Sequence, residues 1–280
     1  MNIIYQILET ILPFEWMQYD FMKNAFLAIL IITPLFGILG TMIVNNRMAF
    51  FSEALGHSAF TGIAVGVLFG MTNTTLSMVI FAIIFALLLN RIKRLNTVST
   101  DTIISVFASL STSVGLVILS KDGNFSKYSN LLVGDILSIT AKEILLLLGI
   151  FLITFVFWLV AFNKLHTLSV NPTLAKSRGV NVILIDNLFV VLIALIVMLS
   201  IKWVGILIIN ALLILPAAAS RNLASDMREY HLFSVLIAVF SGILGLLLSY
   251  YNSTATGPTI VIVSSVIFFA TLVCRPFVKN

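Results

Sequence analysis

The chain has 280 residues, of which 60% are hydrophobic and only 10% charged, with a formal net charge of +5. A soluble domain carries roughly 25% charged residues to keep its surface hydrated, so this composition excludes a soluble globular protein and requires most side chains to face something oily. The basic residues are scattered through short connections and form no stripe interleaved with aromatics, which argues against a nucleic-acid partner, and the single cysteine, Cys274, excludes an intrachain disulfide and a multi-cysteine metal centre.

In chain order, residues 1–20 contain Glu9, Glu15 and Asp20 but no basic n-region, so no cleavable signal peptide is expected. With Phe14, Trp16 and Tyr19 beside apolar residues, this segment reads as an interfacial N-terminal helix. Residues 21–280 read as a single transmembrane domain. About 20 apolar residues cross a hydrocarbon core of roughly 30 Å, and the expected spans are 21–44, 48–70, 76–90, 99–119, 142–163, 184–202, 204–219, 232–250 and 257–274. Lys202 and Trp203 barely separate the sixth and seventh, so the count is eight or nine, or ten if residues 128–140 form a half-helix. The expected fold is therefore all-α and polytopic, with some broken helices. Pro34, Gly37, Gly40, Gly62, Gly66 and Pro216 lie inside spans; for most of the glycines, close helix packing is the simplest role.

The second span carries the most informative pair. In Phe51-Ser52-Glu53-Ala54-Leu55-Gly56-His57, a carboxylate and an imidazole are four residues apart and share one helix face. Counting from Met48, Glu53 lies roughly 7–8 Å and His57 roughly 13–14 Å along the axis, the latter near mid-membrane. Ionisable groups at that depth mark a functional site by default, and carboxylate oxygen with imidazole nitrogen suits zinc or manganese. The alternative is a structural Glu–His hydrogen bond that stabilises a buried helix. His166, in a cytoplasmic connection, and His231, at the start of a span, fit surface or interfacial roles. Asp101, Asp135 and Asp186 sit near span ends, where capping or solvation accounts for them. Asn210 is a buried polar group that needs a partner, most simply on a neighbouring helix.

The longest connection, 164–183, contains Asn171 followed by Pro172 and closes on Gly179. These read as an N-cap, a first helical residue and a C-terminal stop, giving a short exposed helix of about two turns. It is either a connector or a handle for a motor subunit.

Basic residues set the orientation. With nine spans, Arg47, Arg91, Lys93, Arg94, Lys164, Lys176, Arg178, Arg221, Arg228, Arg275 and Lys279 fall on one side, against Lys23, Lys121, Lys127, Lys142 and Lys202 on the other: 11 against 5 of the 16. The first side should be cytoplasmic, with the C-terminus inside and the N-terminus outside. No GxxxxGK[ST] phosphate loop, GxSxG elbow or HExxH pair occurs. The chain is not expected to be an enzyme, and any energy from ATP must arrive through another chain.

The run Arg47-Met48-Ala49-Phe50-Phe51-Ser52-Glu53-Ala54-Leu55-Gly56-His57-Ser58-Ala59 resembles the RRMSLFGDALSHA region of the ABC-3 metal permeases, the membrane subunits of zinc, manganese and iron importers. Gly134-Asp135-Ile136-Leu137 with Ser138 and Thr140, Asn171 to Val180, Val204-Gly205 through Leu212 to Ala218, and Gly245 to Pro258 agree in the same order, so the resemblance spans about 21 to 275. It implies a homodimeric permease in the bacterial plasma (inner) membrane, surrounded by lipid. Two cytoplasmic ABC ATPase subunits would drive it, and an extracytoplasmic metal-binding protein would deliver the ion. The cargo is a divalent metal, Zn or Mn, with no permanently bound cofactor. The family's metal-contacting residues fall on Glu53 and His57, and its ATPase-coupling helix on Asn171, Pro172, Ala175, Arg178 and Gly179. Glu53 stands where Asp is usual, reaching one methylene further. His57-Ser58-Ala59-Phe60-Thr61-Gly62 replaces the His-Ala-Val-Leu-Pro-Gly common in manganese members, which points to zinc over manganese. An ion-coupled secondary transporter would also want a mid-membrane carboxylate and histidine and is the rival expectation.

Overall fold

The computed structural model describes residues 2–95, 99–121 and 125–278. Lys279, counted above for orientation, lies outside the described residues. Twelve α-helices follow one another in this order: α1 (Asn2–Ile11), α2 (Asp20–Asn45), α3 (Ala49–Leu68), α4 (Thr74–Leu95), α5 (Thr100–Lys121), α6 (Phe125–Tyr128), α7 (Ala141–Val170), α8 (Pro172–Ser177), α9 (Val182–Val204), α10 (Ile206–Leu223), α11 (Met227–Asn252) and α12 (Thr256–Val278). The described residues include no strand. Each of the nine expected spans is met by one long helix. Eight of these are long and apolar enough to cross a membrane; α3 is not among them. Its 20 residues suffice in length, but Ser52, Glu53, His57, Ser58 and Thr61 dilute its apolar character.

Residues 128–140 form no half-helix. The segment is held in two short 3-10 turns, Ser129–Leu132 and Ile136–Ser138, joined at Gly134 with φ +69. The division between α9 and α10 is sharper than Lys202 and Trp203 suggested. It falls at Gly205, where φ is +92 and ψ 148, a region essentially closed to residues with a side chain. Gly134 and Gly205 meet backbone to backbone. A Cβ on Gly205 would overlap the Val133 carbonyl, and one on Gly134 the Val204–Gly205 peptide.

Two helices run beyond the apolar stretches that announced them. α4 continues through Asn90 to Leu95, and α7 through Asn163 to Val170, so the connection expected from residue 164 begins only at 171. Polar residues at the end of α4 find partners that hydropathy does not reveal. Asn90 Nδ2 donates to Asn187 Oδ1 at 2.9 Å, and Arg94 forms an ion pair with Asp186 at 2.7 Å. Asp186 therefore serves an ion pair rather than a cap. α11 starts early, at Met227, because the Asp226 carboxylate accepts from the backbone N–H groups of Arg228 and Glu229.

Helix packing divides the chain into two compact units, 1–41 with 135–155 and 211–280, and 42–134 with 156–210. In the first, α1 is tied to the start of α2: Tyr5 OH donates to Asn24, and buried Lys23 forms ion pairs with Glu9 and Asp20. Gly37 and Gly40 admit close neighbours there. Ser234 Oγ donates to the Gly37 carbonyl at 2.8 Å, and a Cβ on Gly40 would strike the Leu213 carbonyl. In the second unit α3 is the central element, packed by α4, α5 and α9. Gly62 and Gly66 let α4 approach it, with Ser77 Oγ donating to the Gly62 carbonyl. A helix wrapped in protein needs no apolar exterior, which is why α3 can carry the ionisable pair.

Candidate metal site on α3

α3 begins after a tight reversal. The chain leaves α2 with Arg47 in the left-handed region at φ 55, and Met48, buried at the turn, accepts the first bond of α3 from Phe51 N–H. This places Glu53 in the second turn and His57 one turn later, on one face as the spacing required. His57 Nε2 stands 3.9 Å from Glu53 Oε1, with the side chains 31% and 44% exposed in the single chain. At that separation a bridging ion or water fits better than a short direct bond.

The other oxygen of Glu53 is held from behind. Ser52 Oγ donates to Asn210 Oδ1, which fixes the orientation of the amide, and Asn210 Nδ2 then donates to Glu53 Oε2 at 3.4 Å. Asn210 thus finds its partners on a neighbouring helix, as a buried amide must. The link spans 157 residues of sequence and could not be read from spacing. In a metal site this is an outer-shell contact that orients a ligand.

Glu53 and His57 open into a cavity of about 450 Å³ between α3 and α5. Its α3 side is completed by Phe50 and Ala54. Its α5 side presents Ser105, Ser109, Thr112 and Ser113 around Ile104 and Ala108. Those serines recur every four residues, a helical repeat of hydroxyls within an apolar span, whose partners across the cavity no sequence spacing announces. Carboxylate, imidazole and hydroxyl oxygens suit a hard or borderline divalent cation. No group of three or more His, Cys, Asp or Glu side chains occurs among the described residues. One chain therefore offers two such side chains here, and a metal held by them would need further ligands from water or another chain.

The remaining candidates lie elsewhere. His166 is in the last turns of α7, stacked on Phe162, and His231 is buried near the start of α11 with Nδ1 2.7 Å from the Met227 carbonyl. Asp101 occupies the first turn of α5, and Asp135 accepts from Leu137 N–H as a cap. α8 is built as its sequence dictates. Asn171 Oδ1 accepts from the N–H groups of Thr173 and Leu174, Pro172 takes the first helical position, and Gly179 leaves the helix at φ +74. Asn171, Pro172, Arg178 and Gly179 are exposed, whereas Ala175 is fully buried and seats the helix on its own chain. α8 borders a separate cavity of about 700 Å³, lined in part by Pro172, Thr173, Lys176 and Val180, and not the Glu53–His57 cavity.

Residues 18–275 match the ABC 3 transport family. The high-affinity zinc uptake system membrane protein ZnuB of Buchnera aphidicola subsp. Baizongia pistaciae is 34% identical over 245 residues, covering 86% of this chain and 93% of that protein. ZnuB of Haemophilus influenzae is 32% identical, covering 92% and 99%. The manganese import system permease protein ScaB of Streptococcus parasanguinis is 26% identical, covering 92% of each. In three dimensions the chain superposes on a chain of PsaBC from Streptococcus pneumoniae, solved in complex with Fab, with a TM-score of 0.80, 22% identity and coverage of 97% and 95%. That likeness establishes the fold, and the sequence match over nearly the whole length establishes more: the chain belongs to the ABC 3 transport family.

Proposed function

We propose that this chain is the pore-forming permease subunit of an ATP-driven importer for a divalent transition metal, with Glu53 and His57 lining the metal path. The observation that carries the reading is the pair itself: a carboxylate and an imidazole in helical register, opening into a cavity on the most enclosed helix of the second unit. Zinc is favoured over manganese. The two zinc-named relatives above are 34% and 32% identical and the manganese-named one 26%, and a softer nitrogen donor beside a single carboxylate suits zinc.

A second copy of the chain would bring a second Glu53 and His57, giving a four-ligand gate. The ion would pass this gate largely stripped of water. ATP binding and hydrolysis in a cytoplasmic partner would reach the path through α8, whose exposed Asn171, Pro172, Arg178 and Gly179 form the contact. An extracytoplasmic metal-binding protein would deliver the ion from the other side, in the bacterial plasma membrane.

The test is metal uptake by the whole transporter in vesicles. His57→Ala should lower ATP-dependent zinc uptake by at least about 100-fold, since it removes half of the side-chain ligand set, while the ATPase still copurifies. Uptake should stop on ATP depletion and survive an ionophore. Normal import by His57→Ala would overturn the metal path, and ionophore-sensitive, ATP-independent uptake would overturn the ABC coupling.

A further inference from the structure

We propose that the α5 wall of the Glu53–His57 cavity is a hydration subsite, in which Ser105, Ser109 and Ser113 hold the water shell of the divalent cation as it approaches and leaves the Glu53–His57 pair. This rests on the metal-path reading above and adds residues which that reading does not contain.

The register of α5 against α3 is fixed, so the serines face the pair by construction. Thr61 of α3 donates its hydroxyl to the Ser111 carbonyl, and Ser111 Oγ donates back to Thr61 Oγ1 at 3.0 Å. Next to this contact a Cβ on Gly115 would overlap the Thr61 backbone, so no side chain intervenes between the helices. α5 is pinned on one face, and its hydroxyl face lines the cavity.

Among the described residues, the three hydroxyls make no bond within their own helix. A hydroxyl in an apolar span normally donates to a carbonyl of its own helix, which removes the cost of leaving it unpaired in hydrocarbon. Thr33, Ser58, Ser120 and Ser241 all do so, and so does Thr112 in the same wall, to Ala108 O at 2.8 Å. Ser105, Ser109 and Ser113 make no such bond among the described residues and are exposed. The adjoining face of α5 is aliphatic and equally exposed, with Val106 at 59%, Leu110 at 60% and Val117 at 69%. One helix therefore exposes an aliphatic strip and, beside it, shows the cavity three free hydroxyls.

The chemistry completes the assignment. A divalent cation held by one carboxylate and one imidazole keeps several waters, and those waters are strong donors. Serine oxygens without an internal partner accept from them. Ser105 to Ser113 spans about 12 Å of helix, long enough to support the shell over the whole approach to Glu53 and His57, not at one point only.

Two measurements on the complete transporter test this. With Cys274 replaced by Ala, single Ser105→Cys, Ser109→Cys and Ser113→Cys variants in nanodiscs are treated with a charged methanethiosulfonate reagent, beside Val106→Cys and Val117→Cys. The serine positions should react at least about 100-fold faster than the valine positions. Second, the Ser105→Ala, Ser109→Ala, Ser113→Ala triple variant should import zinc at least about tenfold more slowly, and the matching Ser→Thr triple, which keeps the hydroxyls, should recover most of the rate. Serine-position cysteines as inert as Val106→Cys would show a dry face and overturn the subsite, as would a triple Ala variant that imports at the wild-type rate. His57→Ala is run in parallel: normal import there would place the failure in the metal path itself, and the serine subsite would fall with it.

Discussion

At the scale of single residues, the arrangement around Glu53 separates a ligand from the group that aims it. Ser52, Asn210 and Glu53 form a directed chain of hydrogen bonds, hydroxyl to amide oxygen and amide nitrogen to carboxylate. Glu53 has one methylene more than aspartate and so more ways to point away; the amide removes that freedom while leaving Oε1 toward His57. Asn210→Leu keeps the branched outline but removes both the donor to Glu53 and the acceptor for Ser52. Leaving a buried hydrogen-bond partner unpaired costs about 1–3 kcal/mol of stability, whereas loss of an outer-shell contact typically costs about 10–100-fold in metal affinity or activity. The expected result is zinc uptake reduced by about tenfold or more, well beyond what a small fall in melting temperature in detergent accounts for. A melting temperature lowered in proportion to uptake would assign Asn210 to helix packing alone.

At the scale of elements, what hydropathy and capping could announce came through, and what depends on long-range pairing did not. The apolar runs located all nine long helices, and Asn171-Pro172 with Gly179 located α8, because these signals are local to the segment that obeys them. The end of α4 runs past its apolar stretch because Asn90 and Arg94 are made tolerable by Asn187 and Asp186, more than 90 residues later in the chain. The break at Gly205 was equally hidden, since its cause is the Val133–Gly134 backbone pressed against it. Glu53 and His57 were legible from their spacing; the serines opposite them needed the packing of α5 on α3. The glycine contact gives a graded prediction. Gly70 also has a positive φ, +66, but open space where its Cβ would go, so Gly70→Ala should cost only about 1–2 kcal/mol. Gly205→Ala adds overlap with the Val133 carbonyl and should cost at least about 3 kcal/mol. Unfolding of the purified permease by SDS titration would rank them; equal costs would mean that the Gly134–Gly205 approach does not hold α9 and α10 apart.

At the scale of the whole molecule, the number of membrane crossings turns on α3. Composition alone passes eight helices and leaves α3 out, and eight crossings would put both termini on one side. Yet composition judges a helix as if lipid surrounded it, and α3 is packed by α4, α5 and α9. Its 20 residues rise about 30 Å, enough to span the hydrocarbon core, and its ionisable pair faces a cavity instead of acyl chains. Counting α3 as a crossing gives nine, and the termini are then expected on opposite sides. The basic residues then choose the hand. Arg47, Arg91, Arg94, Arg178, Arg221, Arg228 and Arg275 all fall on one side in that count, and the positive-inside rule then predicts a cytoplasmic C-terminus. A fluorescent protein fused after Asn280 should therefore fold and fluoresce, while an epitope placed before Met1 should bind antibody on intact spheroplasts. Both termini on the cytoplasmic side would mean that α3 enters the membrane without crossing it. Glu53 and His57 would then sit at the end of a re-entrant segment, and alternating access would have to be rebuilt around a path that α3 plugs from one side.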